Sequence, residues 1–288
     1  MSLSAGARFR EALQQESPLQ IAGAINAYCA LMAKRAGFRV LYLSGAGVAN
    51  ASYGMPDLGM THLDDVLVDA VRITSCLDLP VLVDIDTGWD DVGHTVSMMM
   101  AAGVAAVHLE DQVASKRCGH RPNKQLVATE DMVERLQAAV AAKQDSDFFI
   151  MARTDALASE GLDLAIERAK AYEAAGADAI FAEAVTELSQ YGRFVNALNV
   201  PVLANVTEFG KTPLFTLEQL AEQGVAMALY PLSAFRAMNQ AASQTYDTLR
   251  TQGTQAELLD EMQDRETLYD VLDYHAAEEK IDQEASKS

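Results

Sequence analysis

One cysteine stands among four side chains able to carry positive charge, in Lys116-Arg117-Cys118-Gly119-His120-Arg121. Nearby cations favour the thiolate, so this sulfur should ionise more readily than a free one. Gly119 lets the backbone turn tightly or approach a ligand closely. In a chain this acidic, so dense a basic cluster reads as a seat for an anion, with a sulfur that can give or take a proton at carbon. The alternative is a solvated basic loop with an incidental thiol. Cys29 and Cys76 lie in apolar, helix-like stretches and read as packing residues.

A second constellation is acidic. Asp84 and Asp86 are spaced so that an extended strand points both to one face. With Glu110 or Asp57 they make a hard, oxygen-rich pocket suited to Mg²⁺ or Mn²⁺, water and substrate filling the remaining positions. Two solvated carboxylates, or pairing with Arg153, is the alternative. Zinc is a weaker reading, because Cys118 and His120 supply two ligands and nothing else has suitable spacing. A divalent ion bound by adjacent oxygens of a hydroxy or keto acid lowers the hydroxyl pKa. Arginines and Ser or Gly backbone amides hold further carboxylates. These parts suit carbon–carbon cleavage of a hydroxylated polycarboxylate.

Such groups need a frame to hold them. A helical stretch, a glycine step and a short apolar run recur around Gly37, Gly103, Gly176 and Gly224. Glycine ends a helix well because it tolerates the left-handed conformation. The apolar run that follows reads as a buried parallel strand. Eight strands centre near Ala22, Leu41, Leu82, Val107, Phe149, Ile180, Leu203 and Met227. Thr61 and Thr216 are the expected N-caps of two intervening helices, Gln219 completing a capping box with the latter. Strand and helix alternating eight times predicts an α/β fold, a closed (β/α)8 TIM-type barrel. An open doubly wound sheet is weakened by the lack of a GxGxxG turn after the first strand.

Residues 1–16 read as an amphipathic N-terminal helix with Phe9 and Leu13 on one side. Residues 255–288 read as an acidic helical tail. Its stripe of Leu258, Met262, Leu268 and Leu272 packs on its own barrel or docks on another subunit. No Pro- or Gly-rich linker divides the chain, so residues 1–288 read as one domain. The net charge of −19 argues against nucleic acid and anionic membrane as partners, while leaving room for an anionic small molecule. No apolar run is long enough to span a bilayer, and no secretory signature opens the chain. Three sparse cysteines suggest a reducing compartment. A cytoplasmic location is expected.

A barrel places its active site at the C-terminal ends of its strands. Polar residues gather there: Tyr42, Ser44 and Gly45 after strand 2, Asp84 and Asp86 after strand 3, His108 and Glu110 after strand 4. Arg153, Thr154 and Asp155 follow strand 5, Glu183 strand 6, and Asn205, Thr207 and Glu208 strand 7. Six successive strand ends are hard to explain as capping alone.

Eight stretches are together highly specific: YLSGAGVA (42–49), PDLG (56–59), VDID (83–86), VHLEDQ (107–112), KRCGHRPNK (116–124), MARTDAL (151–157), NVTEFGKTPLF (205–215) and ALYPLSAFRAMN (228–239). On them the chain resembles the isocitrate lyase and phosphoenolpyruvate mutase superfamily, and within it the branch that cleaves 2-methylisocitrate. KRCGHR separates lyases from mutase-like branches, and isocitrate-cleaving members are generally longer. The resemblance implies Mg²⁺-dependent cleavage of 2-methylisocitrate to pyruvate and succinate, in the methylcitrate cycle of propionate degradation. It implies Asp84 and Asp86 at the metal, with Asp57 and Glu110 behind them through water. Ser44, Gly45, Ala46 and Arg153 fall on the pyruvate side; Lys116, Glu183, Asn205, Thr207 and Arg236 are further substrate contacts; Gly119 and His120 face succinate. Cys118 is the implied general acid, with Tyr42, His120 and Glu110 as the other catalytic candidates.

The implied chemistry is a retro-Claisen (aldol-type) cleavage. A base in the Tyr42 region, or hydroxide on the metal, removes the tertiary hydroxyl proton, and Cys118 protonates the departing succinate enediolate. The resemblance also implies a homotetramer exchanging its last barrel helix between paired subunits, and a cysteine loop that closes over substrate. The chain departs from the family pattern twice. Ala46 stands where members usually carry glycine, and the segment Thr87–His94 is a few residues shorter than usual and lacks its Asn and Arg. A same-fold lyase or hydrolase acting on isocitrate, oxaloacetate or a related dicarboxylate is the alternative, since one methyl is worth only about 1–3 kcal/mol in a pocket. Phe181, Leu229 and Pro231 are candidate walls of that pocket. From another class, the alternative is a non-catalytic ligand-binding barrel. Cys118→Ala should cut pyruvate formation by about 10²–10⁴-fold, the usual contribution of one general acid, with the thermal midpoint unchanged. A normal rate would exclude the acid role.

Overall fold

The computed structural model describes residues 3–114 and 124–286. Eight parallel strands pair in chain order, and the last bonds the first to close a barrel. They are β1 (Leu19–Gly23), β2 (Val40–Leu43), β3 (Val81–Asp84), β4 (Ala106–Glu110), β5 (Phe149–Thr154), β6 (Ala179–Ala182), β7 (Val202–Asn205) and β8 (Met227–Tyr230). Every expected strand centre falls inside one of them. Helix α1 (Ala5–Gln15) precedes the barrel. A main helix then follows each strand: α2 (Ala27–Arg35), α3 (Leu63–Thr74), α4 (Val92–Ala101), α5 (Thr129–Ala141), α6 (Leu162–Ala174), α7 (Leu188–Ala197), α8 (Leu217–Glu222) and α9 (Ser233–Gln252), with short helical turns at Gly45–Gly47 and Val48–Ser52 after β2 and at Leu157–Glu160 after β5. Gly103 and Gly176, at φ +77° and +102°, end α4 and α6 in the left-handed region expected of the glycine steps.

Side chains alternate across each strand, so alternate residues fill two separate cores. The inner core holds Leu19, Ile21, Val40, Tyr42, Leu82, Phe149, Met151, Phe181, Leu203 and Leu229. The outer core lies between strands and helices, where α3 contributes Val66 and Ile73, α5 Met132 and Leu136, and α7 Tyr191 and Phe194. Helix α1 closes the bottom of the barrel. Phe9 is fully buried, 4.8 Å from the Phe149 ring. Arg10 ties the helix down, donating to Asp147 O at 2.9 Å and Asp178 Oδ1 at 2.7 Å.

Several local expectations change. Thr216 caps α8 as expected, its hydroxyl accepting from Gln219 N at 3.2 Å. Thr61 does not cap α3. The cap is His62, because Asp65 accepts from the His62 N–H at 2.8 Å. Cys29 is buried in α2 as expected, but Cys76 is exposed, because α3 ends at Thr74 and leaves it in the following turn. The tail is not one striped helix. It breaks into a 3₁₀ turn (Ala256–Glu261), α10 (Arg265–Val271) and α11 (Tyr274–Ala285). Asp264 caps α10, and Asp273 takes φ +52° before α11. Leu258 is buried, whereas Met262 and Leu272 are exposed. The tail lies along α2, through Tyr28 Oη donating to Gln263 Oε1 at 2.7 Å and an Arg35–Asp270 ion pair. Helix α9 contributes no buried residue. No helix among the described residues is long and apolar enough to cross a membrane.

Phe9→Ala should remove about 3–5 kcal/mol of stability by emptying the bottom of the barrel, read as a lower urea midpoint with little change in slope.

Candidate active site

Continuing the inward alternation by one step replaces apolar side chains with charge at the C-terminal ends of the strands. On β4, Ala106 gives way to His108 and Glu110; on β5, Met151 gives way to Arg153; past β6, Phe181 gives way to Glu183. Register fixes their heights, with Asp84 opposite His108 and Glu110 opposite Arg153.

Arg153 is the central cation and is 9% exposed. Its Nε lies 3.0 Å from Asp155 Oδ2 and 3.3 Å from Glu110 Oε2, and its Nη1 lies 3.8 Å from Glu183 Oε2. The guanidinium also sits over the Phe181 ring at 5.1 Å. Burial by itself would lower its pKa, but Asp155, Glu110, Glu183 and Asp84 outweigh it and hold the group charged well above its ordinary range. Asn205 Nδ2 donates to Glu183 Oε2 at 3.2 Å, which fixes the orientation of both.

The two aspartates converge on the first turn after β2. Strand β3 stops at Asp84, and Asp86 takes φ +50° in the turn beyond, so their shared face comes from a bend rather than from a continued strand. Asp84 Oδ2 accepts from Gly45 N at 3.3 Å, and Asp84 Oδ1 from Asp86 N at 3.0 Å. A Cβ on Gly45 would sit 3.2 Å from Asp84 Oδ2 and 3.3 Å from Asp86 Oδ1. The missing side chain is what lets both carboxylates close over this backbone. Ser44 caps the same turn, its hydroxyl accepting from Gly47 N at 3.3 Å.

This donor set fits a divalent cation. No three His, Cys, Asp or Glu side chains among the described residues form a ready cage. Two buried, adjacent carboxylates are what Mg²⁺ uses, since it keeps most of its waters and takes substrate oxygens. Among the described residues the mouth also gathers more carboxylates than cations: Asp84, Asp86, Glu110, Asp155 and Glu183 around Arg153 and Lys124.

Below the aspartates, Tyr42 Oη lies 2.9 Å from Nε2 of the fully buried His108, which is itself 3.7 Å from Asp84 Oδ1. The structure thus joins Tyr42, Ser44, Gly45, Asp84, Asp86, Glu110, Arg153, Glu183 and Asn205 in one mouth. Ala46 lies in the Ser44-capped turn, and Thr207 is buried just past β7. Asp57 is half-buried in the segment leading to α3. Arg236 stands apart on α9, half-exposed, 3.6 Å from Glu208 and over the Phe209 ring. Asp84 is not simply paired with Arg153; it is taken up by backbone N–H groups and lies close to His108. Lys116, Cys118, Gly119 and His120 lie outside the described residues. His108 and Asp155 were expected at the polar strand ends but without an assigned role, and Gln112 and Lys124 were not among the expected site residues. The signal for a role was present, as His108 lies two residues before Glu110 on β4 and Asp155 two residues after Arg153, just past the end of β5.

The family model described as phosphoenolpyruvate phosphomutase matches residues 9–250. The chain belongs to this family. It is 60% identical over 286 residues to the 2-methylisocitrate lyase of Shewanella oneidensis, covering 98% of both chains. The crystal structure of 2,3-dimethylmalate lyase, a PEP mutase/isocitrate lyase superfamily member, superposes with a TM-score of 0.90 at 33% identity, covering 99% of this chain and 96% of that one. Phosphonopyruvate hydrolase in complex with oxalate and Mg²⁺ superposes with a TM-score of 0.84 at 27% identity, covering 96% and 97%. The eight parallel strands and their helices are therefore the family's barrel.

Gly45→Ala places a methyl against both aspartates. It should weaken Mn²⁺ binding by about tenfold, roughly 1.4 kcal/mol, by calorimetry, with the thermal midpoint little changed.

Proposed function

We propose that the chain is a carbon–carbon lyase that cleaves 2-methylisocitrate to pyruvate and succinate with the help of Mg²⁺. The observation that carries this reading is identity of 60% across nearly the full length to a 2-methylisocitrate lyase. A buried arginine and an aspartate pair at the mouth of the barrel support it, as does the Mg²⁺–oxalate complex of a structural relative.

The residues divide the work by position. Arg153, held charged by its carboxylate neighbours, can receive a substrate carboxylate through its guanidinium. Gly45, Ala46 and the Ser44 turn present backbone donors beside the aspartates. When bound by Asp84 and Asp86, with Asp57 and Glu110 reached through water, Mg²⁺ would lower the hydroxyl pKa and offset charge on its oxygen. Tyr42 is the candidate proton acceptor: its oxygen takes the hydroxyl proton as its own proton passes to Nε2 of His108, 2.9 Å away, with that imidazole in the tautomer bare at Nε2. As the hydroxyl proton leaves, the carbon–carbon bond breaks. Its electron pair passes to the succinate carbon and the pyruvate carbonyl forms. The Cys118 thiol returns a proton to that carbon, completing succinate. Glu183 and Asn205 hold each other in place for substrate contact, and Lys116, Gly119, His120, Thr207 and Arg236 are the further substrate contacts of this proposal.

We further propose that a homotetramer is the working form. Helix α9 runs twenty residues without a buried side chain, and Met238, Tyr246 and Leu249 are exposed on it. A second copy of the chain is the natural cover for such a face.

Pyruvate release from 2-methylisocitrate should require Mg²⁺, stop with EDTA, and exceed release from isocitrate by about 10–200-fold, the worth of one methyl in a fitted pocket. Equal or faster turnover of isocitrate or 2,3-dimethylmalate would overturn the substrate assignment. No release from any of the three acids would overturn the lyase.

A further inference from the structure

Two short stretches flank residues 115–123 and pinch together. Val113 N–H donates to Gln125 O at 3.0 Å, and Gln112 bridges Leu126 in antiparallel register. Arg135 braces one side, its Nη1 donating to Glu110 O at 3.1 Å and Gln112 O at 2.9 Å. Both feet of this neck then reach one carboxylate. Asp155 is fully buried. Its Oδ2 accepts from Gln112 Nε2 at 3.2 Å and from Arg153 Nε at 3.0 Å. Its Oδ1 accepts from Lys124 Nζ at 2.6 Å and, more weakly, from Arg153 Nη2 at 3.4 Å.

The carboxylate is itself fixed from behind. Asp155 N–H donates to Asp111 Oδ1 at 2.8 Å, and Asp111 Oδ2 accepts from Thr154 Oγ1 at 2.7 Å and Tyr172 Oη at 2.9 Å. The Lys124 side chain is 2% exposed. An ammonium so far from water is stable only against an anion, so the C-terminal foot is drawn to wherever Asp155 stands. An ionised carboxylate accepts on both oxygens; an amide of the same shape would turn an NH₂ against Lys124 or Arg153.

We propose that Asp155 is a positioning residue that holds Arg153 and both feet of the neck in one fixed relation. The arginine assigned to a substrate carboxylate and the segment carrying Cys118 then share a single anchor. This rests on the lyase reading for its meaning, but not for its test.

The test uses the full chain with Asp155→Asn, Lys124→Met, Lys124→Arg and the Asp155→Asn/Lys124→Met double variant. For 2-methylisocitrate, Lys124→Met should lower kcat by about 10²-fold with KM little changed, the cost of a misplaced catalytic segment. Lys124→Arg should recover most of the rate. The double variant should be no slower than the slower single one, because both changes break the same anchor. Independently of turnover, iodoacetamide labelling followed by peptide mass spectrometry should show a severalfold altered rate at Cys118 in Asp155→Asn and in Lys124→Met. The rates at buried Cys29 and exposed Cys76 should stay as in the parent chain; general loosening would change Cys29 as well. If Asp155→Asn does not fold, Lys124→Met and its arginine rescue carry the test. An unchanged Cys118 rate, or losses that multiply in the double variant, would overturn the proposal. A parent chain inactive on every acid would sink the lyase reading while leaving the labelling result to judge the anchor.

Discussion

A guanidinium removed from water is stable only where anions replace its hydration, and Arg153 is held in this way. Asp155, Glu110 and Glu183 reach it from three strand ends, and Phe181 supports it from below. The arrangement runs both ways. The arginine makes it tolerable to bury those carboxylates, and the carboxylates keep the arginine charged. Adding Asp84 and Asp86 leaves more negative than positive charge among the described groups of the mouth. A divalent cation is the natural complement. A basic segment in sequence close to Glu110 is another, which gives the chain's negative overall charge a local exception where a polyanionic substrate would need one.

The barrel makes this concentration of charge affordable by separating it from everything else. Parallel strands in register bring alternate residues to common heights, so apolar side chains stack in the lower interior and charged ones at the top. Helix α1 seals the lower end with Phe9. The inward apolar-to-polar step lies at the C-terminal ends of the strands. Tyr42 and His108 sit at that boundary, buried like core residues, with Tyr42 bonded to His108 and His108 reaching Asp84 above. Turns do the final placement. Gly45 has no side chain to hold the aspartates off, and Asp86 accepts a left-handed conformation to bring its carboxylate beside that of Asp84. The segment after Asp86 is tied down where the Trp89 indole N–H donates to Thr61 O at 2.9 Å.

Much of this was legible before any coordinates. The eight strand centres, the glycine steps, the Thr216 cap and the N-terminal amphipathic helix follow from local rules: alternation, helix-ending glycines and reciprocal capping bonds. The rule that a barrel carries its site at the C-terminal ends of its strands placed Asp84, Glu110, Arg153, Glu183 and Asn205 at one mouth. Where the reading slipped, a competing local group decided. Asp65 moved the α3 cap to His62, and Asp264 and Asp273 cut the tail into pieces that its apolar spacing alone would have joined.

Residue type and spacing by themselves determined the barrel and its polar end, because those depend on periodic patterns within short windows; the family came from resemblance along eight specific stretches. Only the tertiary structure decided who pairs with whom. Arg153 chose Asp155, Glu110 and Glu183 over exclusive pairing with Asp84. Lys124, an unremarkable residue in the sequence, became a buried cation on Asp155. Those choices are made by Coulombic attraction and desolvation between side chains far apart in the chain, and such distances exist only once the barrel has closed.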